Sequence, residues 1–344
     1  MEKDNQKQTR RNFLKAGGSV LLGAGFVWAA GDRLWKMMAH PEQIFYDAET
    51  DRRDKVAAEQ TSFVSPYRLT FGFVTPNAIS ALEIAGRDTI VVGTENNICL
   101  YGLDGQLQKE FPIAGGLRDL AFYDGNMYLL FPNHIEVYGL DGREVLKWNA
   151  CNDDADYCSV TVFEGGVFVT DAANKNICQY RLDGSLSRFI ESPAGFIVPS
   201  YSFGITNIRG NIFCSNPGRH CVEQYTADGE FVASFGKSGT GAGEFCGCCN
   251  PVQLTGTNAG EILTSEKGIP RISCYTLDGK FRSVLLDEKA LGGGHVAYDM
   301  RVSGDKLIVA GKNKVSVFQY DARRAADTLC GNCEVECPMK ANLS

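Results

Sequence analysis

The chain has 344 residues, a formal net charge of −7 and 44% apolar residues. That is enough apolar matter for a packed core, and it excludes global disorder. The acidic balance, with no long basic run, argues against nucleic acid as the main partner. Four histidines are too few for a His-rich metal enzyme, and thirteen cysteines cannot all pair within one chain.

At the N-terminus, Thr9-Arg10-Arg11-Asn12-Phe13-Leu14-Lys15 precedes 16 uncharged residues, Ala16 to Gly31. A helix of that length covers about 24 Å, short of the ~30 Å bilayer core. The segment therefore reads as a signal-peptide apolar region, with retention of residues 13–31 as an anchor the alternative. Val27-Trp28-Ala29 offers a weak cleavage site. The motif resembles a twin-arginine export signal, with Arg10 and Arg11 as the signature pair. The resemblance implies a periplasmic or other extracytoplasmic location and the twin-arginine translocation machinery as a partner. It also implies export of a folded chain, with any cofactor already inserted. Residues 1–37 are thus expected to be signal or anchor, and 38–65 a polar linker. Membrane contact is expected only through an uncleaved N-terminus.

From residue 66 to 322 one unit recurs six times. Ile98 to Gly105, Ile135 to Gly142, Ile177 to Gly184, Val222 to Gly229 and Ile272 to Gly279 each run from a β-branched residue through an aromatic to Asp-Gly. Val315 to Ala322 is a sixth copy that ends in Ala. The turn positions 105, 142, 184, 229, 279 and 322 are spaced by 37, 42, 45, 50 and 43 residues. Asp-Gly sets a tight hairpin, because Gly tolerates positive φ and Asp caps its own turn. Two further apolar segments precede each unit, giving four strands per repeat. Such a unit cannot bury its faces alone, so the six must stack; repeats of this length with Asp-Gly hairpins suit radial stacking, as an all-β, six-bladed β-propeller with four-stranded blades, better than an open β-solenoid. The sixth repeat ends after its third strand at Tyr320. Tyr67 to Gly72 is expected to supply its fourth strand and close the ring.

Phe235-Gly236-Lys237-Ser238-Gly239, then Gly241, Gly243, Glu244, Phe245 and Pro251, follows the inter-blade pattern of NHL-repeat six-bladed propellers, and the chain resembles that family over residues 66–322. Cys246-Gly247-Cys248-Cys249-Asn250 departs from it, standing where the family has ordinary loop residues. The resemblance implies one shared face for the inter-blade loops and the second-to-third strand turns. Asn97, His134, Asn176, His220, Arg271 and Lys314 map to that face, as do the tracts Cys151 to Cys158 and Cys246 to Asn250.

The cysteines divide by context. Cys99, Cys178, Cys214, Cys221 and Cys274 sit in strand patterns and read as small core residues. Cys151 and Cys158 bracket one loop and are a candidate disulfide. The tail, 323–344, carries Cys330, Cys333 and Cys337 before Pro338. This Cys-x2-Cys-x3-Cys-Pro spacing matches the end of a bacterial ferredoxin run, with Asp327 at the place of the first ligand. Cys246, Cys248 and Cys249 crowd three thiols into four residues, and the adjacent pair disfavours a simple mutual disulfide. Both tracts are candidate ligands of an iron–sulfur cluster, with zinc as the alternative metal and disulfides or free thiols as the alternatives to metal.

Three functions are open. The first is an exported binding or scaffold propeller, an iron–sulfur or metal-binding accessory of a periplasmic or membrane redox complex, whose partner is another exported or membrane protein. The second is a hydrolase or lyase with a divalent metal in the central channel, since propellers of this size include calcium lactonases and zinc-dependent lyases. Asp119 and Asp299 are its candidate acids, with Arg118, Ser159 and Gln253 nearby. The third is a protein-interaction ring stapled by disulfides. No catalytic residue is assigned, and the chain is expected to be a non-enzyme.

Overall fold

A computed structural model describes residues 64–200 and 202–324. The export motif with Arg10 and Arg11, the linker up to residue 63, and the tail ligands Asp327, Cys330, Cys333 and Cys337 lie outside the described residues.

The described residues form six four-stranded antiparallel sheets. Strand β1 (Tyr67–Val74) comes first. Blade 1 follows as β2 (Ile79–Ala85), β3 (Thr89–Thr94), β4 (Asn97–Gly102) and β5 (Leu107–Pro112). Blade 2 is β6 (Asp119–Tyr123), β7 (Asn126–Phe131), β8 (His134–Gly139) and β9 (Glu144–Asn149). Blade 3 is β10 (Tyr157–Phe163), β11 (Gly166–Asp171), β12 (Asn176–Tyr180) and β13 (Leu186–Ile190). Blade 4 is β14 (Ile205–Ile208), β15 (Asn211–Asn216), β16 (Cys221–Tyr225) and β17 (Phe231–Phe235). Blade 5 is β18 (Gln253–Gly256), β19 (Ile262–Glu266), β20 (Arg271–Tyr275) and β21 (Phe281–Leu286). A short helix, α1 (Glu288–Leu291), is capped by the Asp287 carboxylate, which accepts from the Ala290 amide. Blade 6 is β22 (Asp299–Ser303), β23 (Lys306–Gly311) and β24 (Lys314–Tyr320), completed by β1.

The innermost strands β2, β6, β10, β14, β18 and β22 contact one another in turn, and β22 returns to β2. The molecule is therefore a closed six-bladed propeller, sealed by the N-terminal strand as the sequence predicts. Tyr67 pairs with Tyr320 and Val74 with Lys314, with a bulge between Leu69 and Phe71.

Packing lies between blades. Ala121, Tyr128 and Leu130 of blade 2 share one apolar cluster with Val160, Val167 and Val169 of blade 3. Equivalent clusters join each remaining pair of neighbours. In blades 1 to 5 the register shifts immediately before the repeat tyrosine, at Tyr101, Tyr138, Tyr180, Tyr225 and Tyr275. This bulge re-aims the chain into its Asp-Gly turn. Gly279 shows why the turn needs glycine: its φ is 80°, and a Cβ there would stand 2.4 Å from the Cβ of Phe235 in the preceding blade.

Candidate functional site

Three places hold chemistry: the channel wall, a buried ion pair, and thiols on the face of the inter-blade loops.

Two of the inner strands begin with an acid, Asp119 in β6 and Asp299 in β22. Asp119 accepts from Ser159 Oγ at 2.6 Å and from the Val160 amide at 3.0 Å, both in the next blade. It also accepts from the Leu120 amide at 2.8 Å. Asp299 takes the same place in blade 6. It accepts from the Leu82 amide of blade 1 at 2.9 Å, the Met300 amide at 2.7 Å and Arg301 Nη1 at 2.7 Å. Arg301 Nε reaches Glu83 at 3.1 Å. The two candidate acids therefore brace successive blades. Gln253 holds the matching position in blade 5, opposite Ser265, and Arg118 pairs with Asp156 at 3.2 Å instead. With the Arg301 guanidinium already compensating these carboxylates, the donor set does not fit a divalent cation in the channel. A cavity of about 910 Å³ opens at the end of the channel away from the thiols, with Glu83, Arg209, Thr255 and Arg301 in its wall.

Burial, followed by the charge of Asp299, pushes the Asp119 carboxyl up to about 7; Arg301 and the hydrogen bonds from Ser159 and Val160 pull it back. An unfolded Asp titrates near ~3.9. The folded state therefore holds this proton more tightly, and its contribution is fully present at acid pH and lost as pH rises through about 7. Wild-type stability is expected to fall by roughly 2–4 kcal/mol from this group across that interval. Asp119→Asn should remove that part of the slope in urea titrations run at stepped pH. Equal slopes in the two proteins would refute the assignment.

On the loop face, the residues at the second-to-third strand turns have separate fates. Asn97 Nδ2 donates to Glu110 at 2.5 Å. The His134 ring stacks on Phe131 at 4.4 Å and meets Glu136 at 3.2 Å; burial and Lys147 lower its pKa. His220 caps a 3-10 turn with φ 55°, and Lys314 is exposed. Arg271 is no surface residue. Its side chain is 1% exposed and binds the fully buried Glu266 through Nε at 2.6 Å and Nη2 at 2.9 Å. It also donates to the carbonyls of Thr240 and Glu244, tying the Phe245 loop to blade 5.

The thiols regroup. Cys248 and Cys249 hold their sulfurs 3.2 Å apart, and Ser200 Oγ donates to Cys249 at 2.9 Å. Lys267 Nζ lies 3.3 Å from Ser200 Oγ. Cys246 turns inward and is buried, its sulfur 3.5 Å from Asn250 Nδ2. Only two of the three thiols in this tract are thus neighbours. The Cys151 sulfur lies 3.7 Å from Cys178, while the Cys158 thiol points to the Asp156 carbonyl at 3.6 Å. Cys178 is a core residue, as expected, but it is also the partner that Cys151 meets. Cys99, Cys214 and Cys274 are buried in strands, and Cys221 is half-buried.

Sequence reasoning did not find the Glu266–Arg271 pair, the Glu83–Arg301 contact or the Cys151–Cys178 approach. Glu266 and Arg271 are register partners across one hairpin, so opposite charges five residues apart about a turn were the available signal. Glu83 and Arg301 meet only because β2 and β22 become neighbours when the ring closes, and no local pattern carries that.

No protein-family model matches the chain, and no curated protein matches its sequence. Solved structures do resemble it. Virginiamycin B lyase from Staphylococcus aureus aligns with a TM-score of 0.54 at 15% identity, over 74% of this chain and 99% of that one. A structural genomics protein of unknown function from Bacteroides thetaiotaomicron aligns with a TM-score of 0.56 at 13% identity, over 74% and 72%. A luciferin-regenerating enzyme gives 0.53 at 10% identity, over 72% and 92%. Identities this low speak for architecture alone, and the architecture they share with this chain is the six-bladed β-propeller.

Proposed function

We propose that this chain is an exported, NHL-like propeller that works as a binding and scaffold module, a thiol-rich accessory of a periplasmic or membrane redox complex. Its export rests on Arg10 and Arg11. Its metal, an iron–sulfur cluster or zinc, is assigned to Cys330, Cys333 and Cys337 of the tail, with Asp327 or another thiolate completing the set. The observation that carries this reading is the division of labour between channel and face. The channel acids Asp119 and Asp299 serve neighbouring amides and Arg301. The loop face instead presents the close thiols Cys248 and Cys249, the first of them exposed. Cys246 is turned away from that pair, which supports the tail as the better ligand source. The bound metal would supply one-electron transfer if iron, or a structural clasp if zinc.

Metal analysis of full-length protein purified without oxygen tests the assignment. The wild type is expected to hold more iron or zinc, by the tail's share, than a variant in which Cys330, Cys333 and Cys337 are together changed to Ser. A metal-free wild type with disulfides mapped in the tail would favour the stapled interaction ring. A channel lyase or hydrolase draws support from the raised pKa of Asp119. Turnover of a lactone or ester that is abolished by Asp119→Ala would establish that reading instead.

A further inference from the structure

Among the described residues, one group of three metal-ligating side chains converges: Cys151, Asp171 and Cys178, whose ligand atoms all lie within 4.8 Å of one another. We propose that these residues form a zinc-type metal site that clasps the linker between blades 2 and 3 to blade 3. The proposal is independent of the tail and of the function argued above.

The geometry favours one ion held by both sulfurs. Two thiolates bound at ~2.3 Å on adjacent corners of a tetrahedron stand ~3.8 Å apart. Cys151 and Cys178 stand 3.7 Å apart. Asn176 Oδ1 lies 3.6 Å from the Cys178 sulfur, so the fourth corner falls to this oxygen or to water beside half-buried Cys151. Two soft sulfurs with a carboxylate select zinc over calcium or magnesium, which take oxygen ligands.

The surrounding groups hold the ligands in place. Asp171 ends β11 and is fully buried. Its Oδ1 accepts from the amides of Asp156, Ala173 and Asn174 at 3.0–3.1 Å, and its Oδ2 from Asn174 Nδ2 at 2.8 Å. Carboxylates that ligate a metal are commonly held by hydrogen bonds of this kind, here from three amides and Asn174. The Cys151 amide is fixed by Tyr157 Oη at 3.0 Å.

Each member has a plain explanation alone: Asp171 as a turn cap, Cys178 as core packing. Comparison with the other blades removes it for the set. Cys99 occupies the place of Cys178 in blade 1, but the strand-end residue there is Thr94. Blade 5 has an acid at the place of Asp171, Glu266, and sets Arg271 across from it. Blade 3 sets Asn176 across from Asp171 and brings in a second sulfur. Two thiols that bind one divalent cation form two metal–sulfur bonds and release two protons to solvent.

The test uses the reduced full chain in a background carrying Ser at residues 248, 249, 330, 333 and 337. Zn(II) or Co(II) is added, unbound ion is removed, and bound metal is counted, with Co(II) absorption reporting thiolate ligation. One equivalent per chain is expected. Cys151→Ser and Asp171→Asn should each lower retained metal at least tenfold. Cys158→Ser should leave it unchanged, because that sulfur points to a backbone carbonyl. Retention should also fall steeply as pH drops, by the proton release above. Equal metal in Cys151→Ser and its background, or no retained metal in that background, overturns the proposal. If Asp171→Asn does not fold, Cys151→Ser, at a half-buried linker position, decides the question by itself.

Discussion

Arg271→Met is expected to destabilise the propeller by about 3–5 kcal/mol, because it leaves a buried carboxylate without its cation. Arg271 is 1% exposed and Glu266 is 0% exposed, so water cannot replace the guanidinium. The same side chain holds the carbonyls of Thr240 and Glu244, and the loop after β17 should loosen with it. Burial already raises the Glu266 pKa, and Arg271 is the strongest group pulling it back. In the variant that restraint is gone. The folded state then binds a proton more tightly than the unfolded chain, so the loss should grow as pH rises. Urea unfolding at mildly acid and mildly alkaline pH measures both effects. Changing Glu266 to Leu as well should recover much of the loss, because an apolar pair of similar volume often replaces a buried ion pair without penalty. Recovery should be incomplete, since the two loop carbonyls still lack their donor. A single variant within ~1 kcal/mol of wild type would place the pair among weak surface bridges and refute the reading.

Removal of β1 is expected to be worse still. The strand makes seven register pairs with β24, and its Phe71 and Phe73 pack on the cluster shared by blades 6 and 1. At about 0.5–1.5 kcal/mol per hydrogen bond, the ladder alone is worth roughly 5 kcal/mol. That is comparable to the whole stability of many domains, about 5–15 kcal/mol. It would also bare β24 as an open edge. A chain starting at residue 75 should therefore aggregate or unfold at ordinary temperature. A permuted chain in which residues 64–74 follow residue 322 through a short turn should fold. In that arrangement β24 and β1 become a hairpin like the third and fourth strands of every other blade. Thermal melting and light scattering distinguish the two proteins. Normal folding of the truncated chain would show that the strand is not the closure.

Much of this architecture was legible because it is written locally. The Asp-Gly turns at 105, 142, 184, 229 and 279 all show the positive φ that the dipeptide predicts. Blade 6, whose copy ends in Ala322, takes its last strand from the N-terminus, as the missing fourth strand implied. The thiols were less legible. Cys151 and Cys158 look paired along the chain because they bracket one loop, with six residues between them. In space Cys151 faces Cys178, which the hairpin of β11 and β12 carries under the linker. Arg271 maps to the loop face, and nothing in the linear pattern shows that the loop ending at Phe245 folds over it.

The sequence by itself determined the repeat, the turns and the closing strand, since each depends on residue type and on spacing within a single hairpin. Tertiary structure alone decided which side chains share a site. Asp119 and Asp299 became braces, Arg301 met Glu83, and Cys151 met Cys178 with Asp171, because these contacts join different blades or a linker to a blade. Their partners are set by the rotation from one blade to the next and by closure of the ring. Both are properties of how the blades pack, and no window of the sequence contains them.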